Sequence, residues 1–466
     1  MNIADLAILN GRVVTPSGIW NADVSIKQGR IHSLVERGAE IQAAEYMDVA
    51  DAFVMPGAID IHFHCRGRAY PERGDFATET RAAGSAGVTT VFEMPITKPA
   101  TSTPTAWLAR RHEVEQDAHV NVGLYAGPAH LDPAEIQALA DAGAIGFKLF
   151  LSRAPAGRED EFDGLVAANA ATAYRALEMI ALTGLRTVFH AEEDTLLDLF
   201  MERARNSGRT DYRLHLDSRP AIVEATAVAV VCAIAMELDA AAHIAHVSSS
   251  AGVNLIRDAR ARGCRNLTAE TCPHYLLFTN DVLEQVGAFG KINPPMRKLA
   301  DQQALWQGLR DGTIDVIATD HAPFTASEKD VPMENILSAP PGHPGVEILV
   351  PFAMTQALCG KFSVSQAVEF FSTRPAKLFD LYPAKGAILA GSDADLVIYD
   401  PKHGVTHREQ WLSKSADSNR LYRSWVAQGH VQAAVLNGKV IYRDGHYLGA
   451  RGAGRLVSPN RPANKR

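Results

Sequence analysis

The sequence predicts an α/β fold: a (β/α)8 barrel of the TIM type with a smaller β domain built from both ends of the chain. Three observations predict it. Short apolar runs alternate with amphipathic helical stretches between residues 54 and 384, which is the pattern of repeated βα units. Both ends carry short β-rich runs punctuated by glycine and proline. The 466 residues exceed one ordinary core, since domains run about 50–250 residues, but they suit a barrel with a companion domain.

The first end reads as strands at 6–10, 12–14, 23–28 and 30–35, with Gly11 and Gly29 at turns. Eight strands then follow, at 58–64, 89–94, 120–125, 146–150, 186–190, 243–247, 266–271 and 314–319. Helical periodicity fills 133–142, 171–182, 221–238, 251–262 and 302–310 between them. The last strands fall at 395–399, 433–437 and 439–442, and LNGKVI there resembles LNGRVV near the start. The expected division is a composite β domain of 1–53 and 385–450, a barrel of 54–384, and a tail of 451–466. Two unrelated peripheral hairpins and an open doubly wound sheet are the alternatives. No GxGxxG follows the first strand of the alternating region, so nothing favours a dinucleotide fold.

Hydrophobic residues at 47% and charged residues at 21% argue against disorder. A net charge of −7 makes nucleic acid a poor partner, and no basic run offers a membrane patch. The most apolar segment, 225–236, is shorter than the roughly 20 residues that a bilayer needs. Five scattered cysteines without a CxxC pair, and a start unlike a signal peptide, point to the cytoplasm.

Barrel chemistry sits where the strands end. The first barrel strand ends in Asp60-Ile-His62-Phe-His64, and alternation puts Asp60, His62 and His64 on one face. Lys148 lies in GFKLF, His190 in VFHAE and His246 in HIAHVSS, and Asp320 opens DHAPF. An ammonium inside an apolar strand is costly unless paired or modified. Imidazole and carboxylate are ligands for zinc and related ions, so these residues predict a metal site. Alternation turns His243 away from His246 and Cys65 toward the barrel wall. Cys65 and Cys272 read as packing residues, and His274 and His343 as mouth-loop candidates for substrate contact.

At these residues the sequence resembles the amidohydrolase superfamily, and within it the cyclic-amide branch of dihydroorotases, allantoinases, hydantoinases and dihydropyrimidinases. DIHFH, GFKLF, FHAE, HVSS and TDHAP occur in that order, with MPGAIDIHFH and GSDADLVIYDP at either side. The resemblance implies a metal-bearing barrel with a small β-sandwich made by both termini. It implies two divalent ions, zinc foremost. His62, His64 and Asp320 hold one, His190 and His246 the other, and a carbamate on Lys148 bridges them. It makes Asp320 the base that takes the proton of the attacking hydroxide and returns it to the leaving nitrogen. Arg66 matches the arginine of a dihydroorotase HxHxR pattern, and Asn293 the asparagine of NPPLR. Phe324 stands where dihydroorotases show histidine, and Ile96-Thr97 where they show Asn-Thr, so another ring amide, ureide or imide is expected. The implied partner is a small cyclic amide, with the chain a homo-oligomer, dimer or tetramer. The alternatives are a catalytically silent scaffold and a hydrolase of linear amides. A silent scaffold would have lost some of the six ligand residues, and all six are present.

Overall fold

The computed structural model of the chain describes residues 3–406 and 411–460. Eight parallel strands lie in sequence order: Ala58–Phe63, Val88–Glu93, Asn121–Ala126, Gly146–Phe150, Thr187–His190, Ala242–Ile244, Leu267–Thr271 and Val316–Ile317. Each falls within three residues of the limits that periodicity sets. The circle closes where Phe63 bridges His321 and the His64 N–H donates to the His321 carbonyl at 2.7 Å. The sheet is a barrel and not an open, doubly wound one. Ile59, Tyr125, Val188, Ala245 and Ala318 meet in one apolar cluster. Strands this far apart in the sheet can share a cluster only across a barrel interior.

The outer helices form where capping and periodicity agree. Pro133–Ala142 starts on Asp132, whose side chain accepts from the Ala134 N–H, and ends on left-handed Gly143. The apolar stretch around 225–236 becomes helix Ala221–Glu237, with Val223, Val228, Val231 and Ala235 buried. The helical run Arg213–Glu237 is long and apolar enough to cross a membrane by composition. It breaks at Arg219–Pro220, and its second part packs as a core helix.

The termini share one nine-stranded sheet, and Phe53–Pro56 joins its two halves. That strand runs parallel to Ala4–Thr15 and antiparallel to Leu396–Thr406, so the two ends are not separate hairpins. It also carries this sheet past the expected limit at 53, to Pro56. Gly11 is not a turn. Ala4–Thr15 is one strand with a register shift between Ile8 and Gly11, and Asn10 supplies the kink at φ 63. A Cβ at Gly11 would lie 2.7 Å from Val54.

The expected tail is partly built into the barrel; residues 461–466 lie outside the described residues. Gly454 donates to the Ala118 carbonyl, Arg455 accepts from Val122, and Val457 donates back to Val122, each at 2.9 Å. Val457 then joins the interior cluster. A Cβ at Gly454 would sit 1.9 Å from the Val120 carbonyl oxygen. Gly454→Ala is expected to destabilise by about 1–3 kcal/mol, the usual cost of overpacking. Calorimetry should show the lower Tm, with turnover retained.

Candidate metal centre

The first barrel strand lifts two histidines to the mouth by breaking its own alternation. Ile59 and Ile61 both join the interior cluster, yet His62 and His64 line the cleft above it. The strand slips register against Val88–Glu93 between Asp60 and Phe63. Asp60 therefore does not share the histidines' surroundings. Its carboxylate accepts from the Thr319 N–H at 3.0 Å, from the Thr319 hydroxyl, and from the His62 N–H at 3.3 Å. Burial pushes it up to about 6 despite those bonds.

His246 and Asp320 reach the cleft through left-handed backbone, at φ 38 and φ 49. Such torsions cost about 1–3 kcal/mol each and collect at functional sites. Alternation also misplaces His243, which is not turned away from the centre. Its Nε2 meets Glu270 at 3.1 Å and its Nδ1 meets the Thr268 hydroxyl at 2.8 Å.

Two of the imidazoles, His62 and His190, are held by carboxylates with the other nitrogen turned inward. A carboxylate only accepts, so Glu270 on His62 Nδ1 and Glu192 on His190 Nε2 (2.9 Å) leave lone pairs on the opposite ring atoms. Asp320 Oδ1 lies 3.3 Å from Nε2 of both His62 and His64. His190 Nδ1 is 2.9 Å from His246 Nε2. Donor atoms of His62, His246 and Asp320 lie within 4.8 Å of one another. Burial pushes His64 down to about 3 and lowers His190 and His246, favouring the neutral form that ligates. Burial alone would raise Asp320, but His62 and the other imidazoles hold it well below the carboxylate range.

Lys148 is fully buried, and its Nζ finds no hydrogen-bond partner. Burial pushes it down to about 8, against the pull of Glu270 and Asp320. The inward lone pairs and the Asp320 carboxylate are a donor set suited to divalent metal, and the Lys148 nitrogen lies buried in the same cleft. The residues fit a pair of ions.

The site lies at the bottom of a cleft that also takes in Arg66, Ile96, Phe150, Phe162 and Asn293. Phe324 does not line the cleft as a substrate contact should. It is 1% exposed, its ring lying under the Arg66 guanidinium at 4.6 Å and the Arg73 guanidinium at 4.8 Å. His274 and His343 are buried behind the cleft rather than on its wall. Cys65 and Cys272 are buried. Sequence reading missed Glu270 and Glu192. Glu270 sits inside a fully buried strand, Leu267–Thr271, whose two threonines hide it from an apolar-run reading.

Over residues 53–441 the chain matches the amidohydrolase family. It belongs to that family. An allantoinase of Streptomyces avermitilis is 35% identical over 98% of this chain and 99% of its own length. An L-hydantoinase of Paenarthrobacter aurescens is 30% identical over 97% and 98%. Among solved structures, the L-hydantoinase (dihydropyrimidinase) from Arthrobacter aurescens gives a TM-score of 0.91 at 30% identity, covering 98% of this chain and all of that one. This amidohydrolase thus falls in the cyclic-amide branch to which its motifs point.

Proposed function

We propose that the protein is a metal-dependent hydrolase that opens the C–N bond of a cyclic amide, ureide or imide. The observation that carries this reading is the convergence of His62, His64, Lys148, His190, His246 and Asp320 on one barrel mouth. His62, His64 and Asp320 would hold one divalent ion, and His190 and His246 a second, with zinc the natural choice for such donors. The ions supply positive charge that lowers the pKa of water and polarises a carbonyl. Lys148 would hold both as a carbamate: burial favours its neutral amine, whose lone pair adds to the carbon of carbon dioxide while the nitrogen gives up a proton, leaving an anion with two oxygens. Ionised Asp320 takes the proton of the attacking water and delivers it to the ring nitrogen as that bond breaks.

Arg66 sets what the ring carries. It is 4% exposed, and its Nε makes only a 3.4 Å bond to the Pro323 carbonyl. The other cleft arginines have carboxylate partners: Arg153 with Asp194, Arg158 with Glu161 and Arg219 with Glu192. Burial first, then Arg158 and Arg73, pushes Arg66 down to about 9. A buried guanidinium without a counter-ion favours a substrate bearing an anionic group. Asn293 adds a buried Oδ1 without a partner, free to accept from a ring N–H. Ile96, Phe150 and Phe162 make the remaining wall apolar.

Arg66→Met is expected to cost anionic ring substrates about 2–5 kcal/mol in kcat/KM, the range for truncating one partner of a buried charge pair. Neutral rings should suffer much less. Kinetics on dihydroorotate and dihydrouracil, one ring with and without a carboxylate, make the comparison. An equal loss on both removes the anionic assignment.

Five unpaired cysteines support a reducing compartment, the cytoplasm.

A further inference from the structure

Against the backbone of the residue that joins His64 to Arg66 lies a buried ion pair that the proposed chemistry does not use. Glu93 ends the second barrel strand, Arg110 comes from helix Pro104–Asp117, and the two meet at 2.8 Å. Both grip the backbone of one residue, on either side of its Cα. Glu93 accepts from the Cys65 N–H at 2.8 Å, and Arg110 Nη2 donates to the Cys65 carbonyl at 2.6 Å. Arg110 Nη1 is anchored in turn by Glu113 at 2.6 Å, and the guanidinium lies 4.3 Å over the Phe76 ring. Cys65 is the single residue between His64 and Arg66.

The next residue is shaped to the same guanidinium. Gly67 has φ +65, and a Cβ there would fall 2.1 Å from Arg110 Nη1. Gly67 also donates to the Gly74 carbonyl at 3.1 Å. Apolar side chains could fill this space without the desolvation that two buried charges demand. What they could not do is hold an N–H and a carbonyl at fixed points, as a carboxylate and a planar guanidinium fork can.

We infer that the Glu93–Arg110 pair is a positioning device that clamps the Cys65 backbone, N–H and carbonyl together, and so aims Arg66 into the cleft. Phe324 holds the Arg66 side chain while the clamp holds its backbone. The inference rests on the reading of Arg66 as the anion contact. It makes Glu93 and Arg110 determinants of specificity that touch neither substrate nor metal.

The test uses the zinc-loaded full chain as wild type, Arg110→Lys, Glu93→Gln, Gly67→Ala, Arg66→Met and the Arg66→Met/Arg110→Lys double variant. Bound zinc is counted, and kcat and KM are measured on dihydroorotate and dihydrouracil. The clamp variants should keep zinc and their kinetics on dihydrouracil. Their KM for dihydroorotate should rise about ten- to hundredfold, as misplacement of a contact by an ångström does. Arg110→Lys should add nothing to Arg66→Met, because both act through one contact. Gly67→Ala displaces the same guanidinium and gives the same split should Arg110→Lys fail to fold. Equal losses on both substrates, or penalties that add in the double variant, overturn the clamp. Arg66→Met without any preference between the substrates breaks the underlying reading instead.

Discussion

Lys148→Ala should leave a folded barrel that has lost most of its metal and nearly all turnover. The fold survives because the change deletes a fully buried ammonium that has no acceptor, and such a charge stabilises nothing. The site does not survive, because the carbamate proposed on that lysine is the anion both ions share. Outer partners of metal ligands alone change affinity or activity about 10–100-fold, so loss of a ligand common to two ions should exceed that range. Elemental analysis and kinetics of the purified variant give both numbers. Short carboxylic acids added to the variant should restore part of the rate by supplying the missing oxygens. Full metal with full activity would end the binuclear account.

Asp320→Asn should separate binding from chemistry. Asparagine tolerates left-handed backbone, so it can keep φ 49 and offer one oxygen to the site. It cannot take a proton from the attacking water. The imidazoles that hold Asp320 ionised are what make it a base. The expected result is much of the metal retained with turnover down about 10²–10⁴-fold, the usual contribution of a general base, and weakened metal binding adding to the loss. A decrease of less than about tenfold, outside that range, would mean that another group takes the proton.

Much of this architecture is legible in the chain because barrel strands buried on both faces must be short apolar runs, and helices between them must be amphipathic. The strands holding Lys148 and His190 emerge almost at their true limits for that reason. Side-chain direction is less legible, because alternation assumes regular strands. The register slip after Asp60 and the positive φ at His246 and Asp320 break that assumption, and they misplace Asp60 and His243. The chemistry of a residue type also says little about depth. Phe324 follows Asp320 closely in sequence, yet it ends as a platform under two guanidiniums. The tail is illegible for a different cause: residues 454–457 owe their place to backbone bonds with Ala118 and Val122, which no local pattern records. Glu270 is the instructive omission: its strand is buried throughout, but with a threonine on either side of the Ala-Glu pair it does not read as an apolar run.

The most direct measurement is kcat/KM of the zinc-loaded protein on dihydroorotate, allantoin, hydantoin, dihydrouracil and succinimide, beside a linear amide of similar size. The account predicts that at least one ring opens to its chain carboxylate far faster than the linear amide is cleaved. It also predicts that dihydroorotate is not the best substrate, since Ile96 and Phe324 stand where a dedicated dihydroorotase is expected to carry asparagine and histidine. Cleavage of the linear amide while every ring stays closed would contradict it.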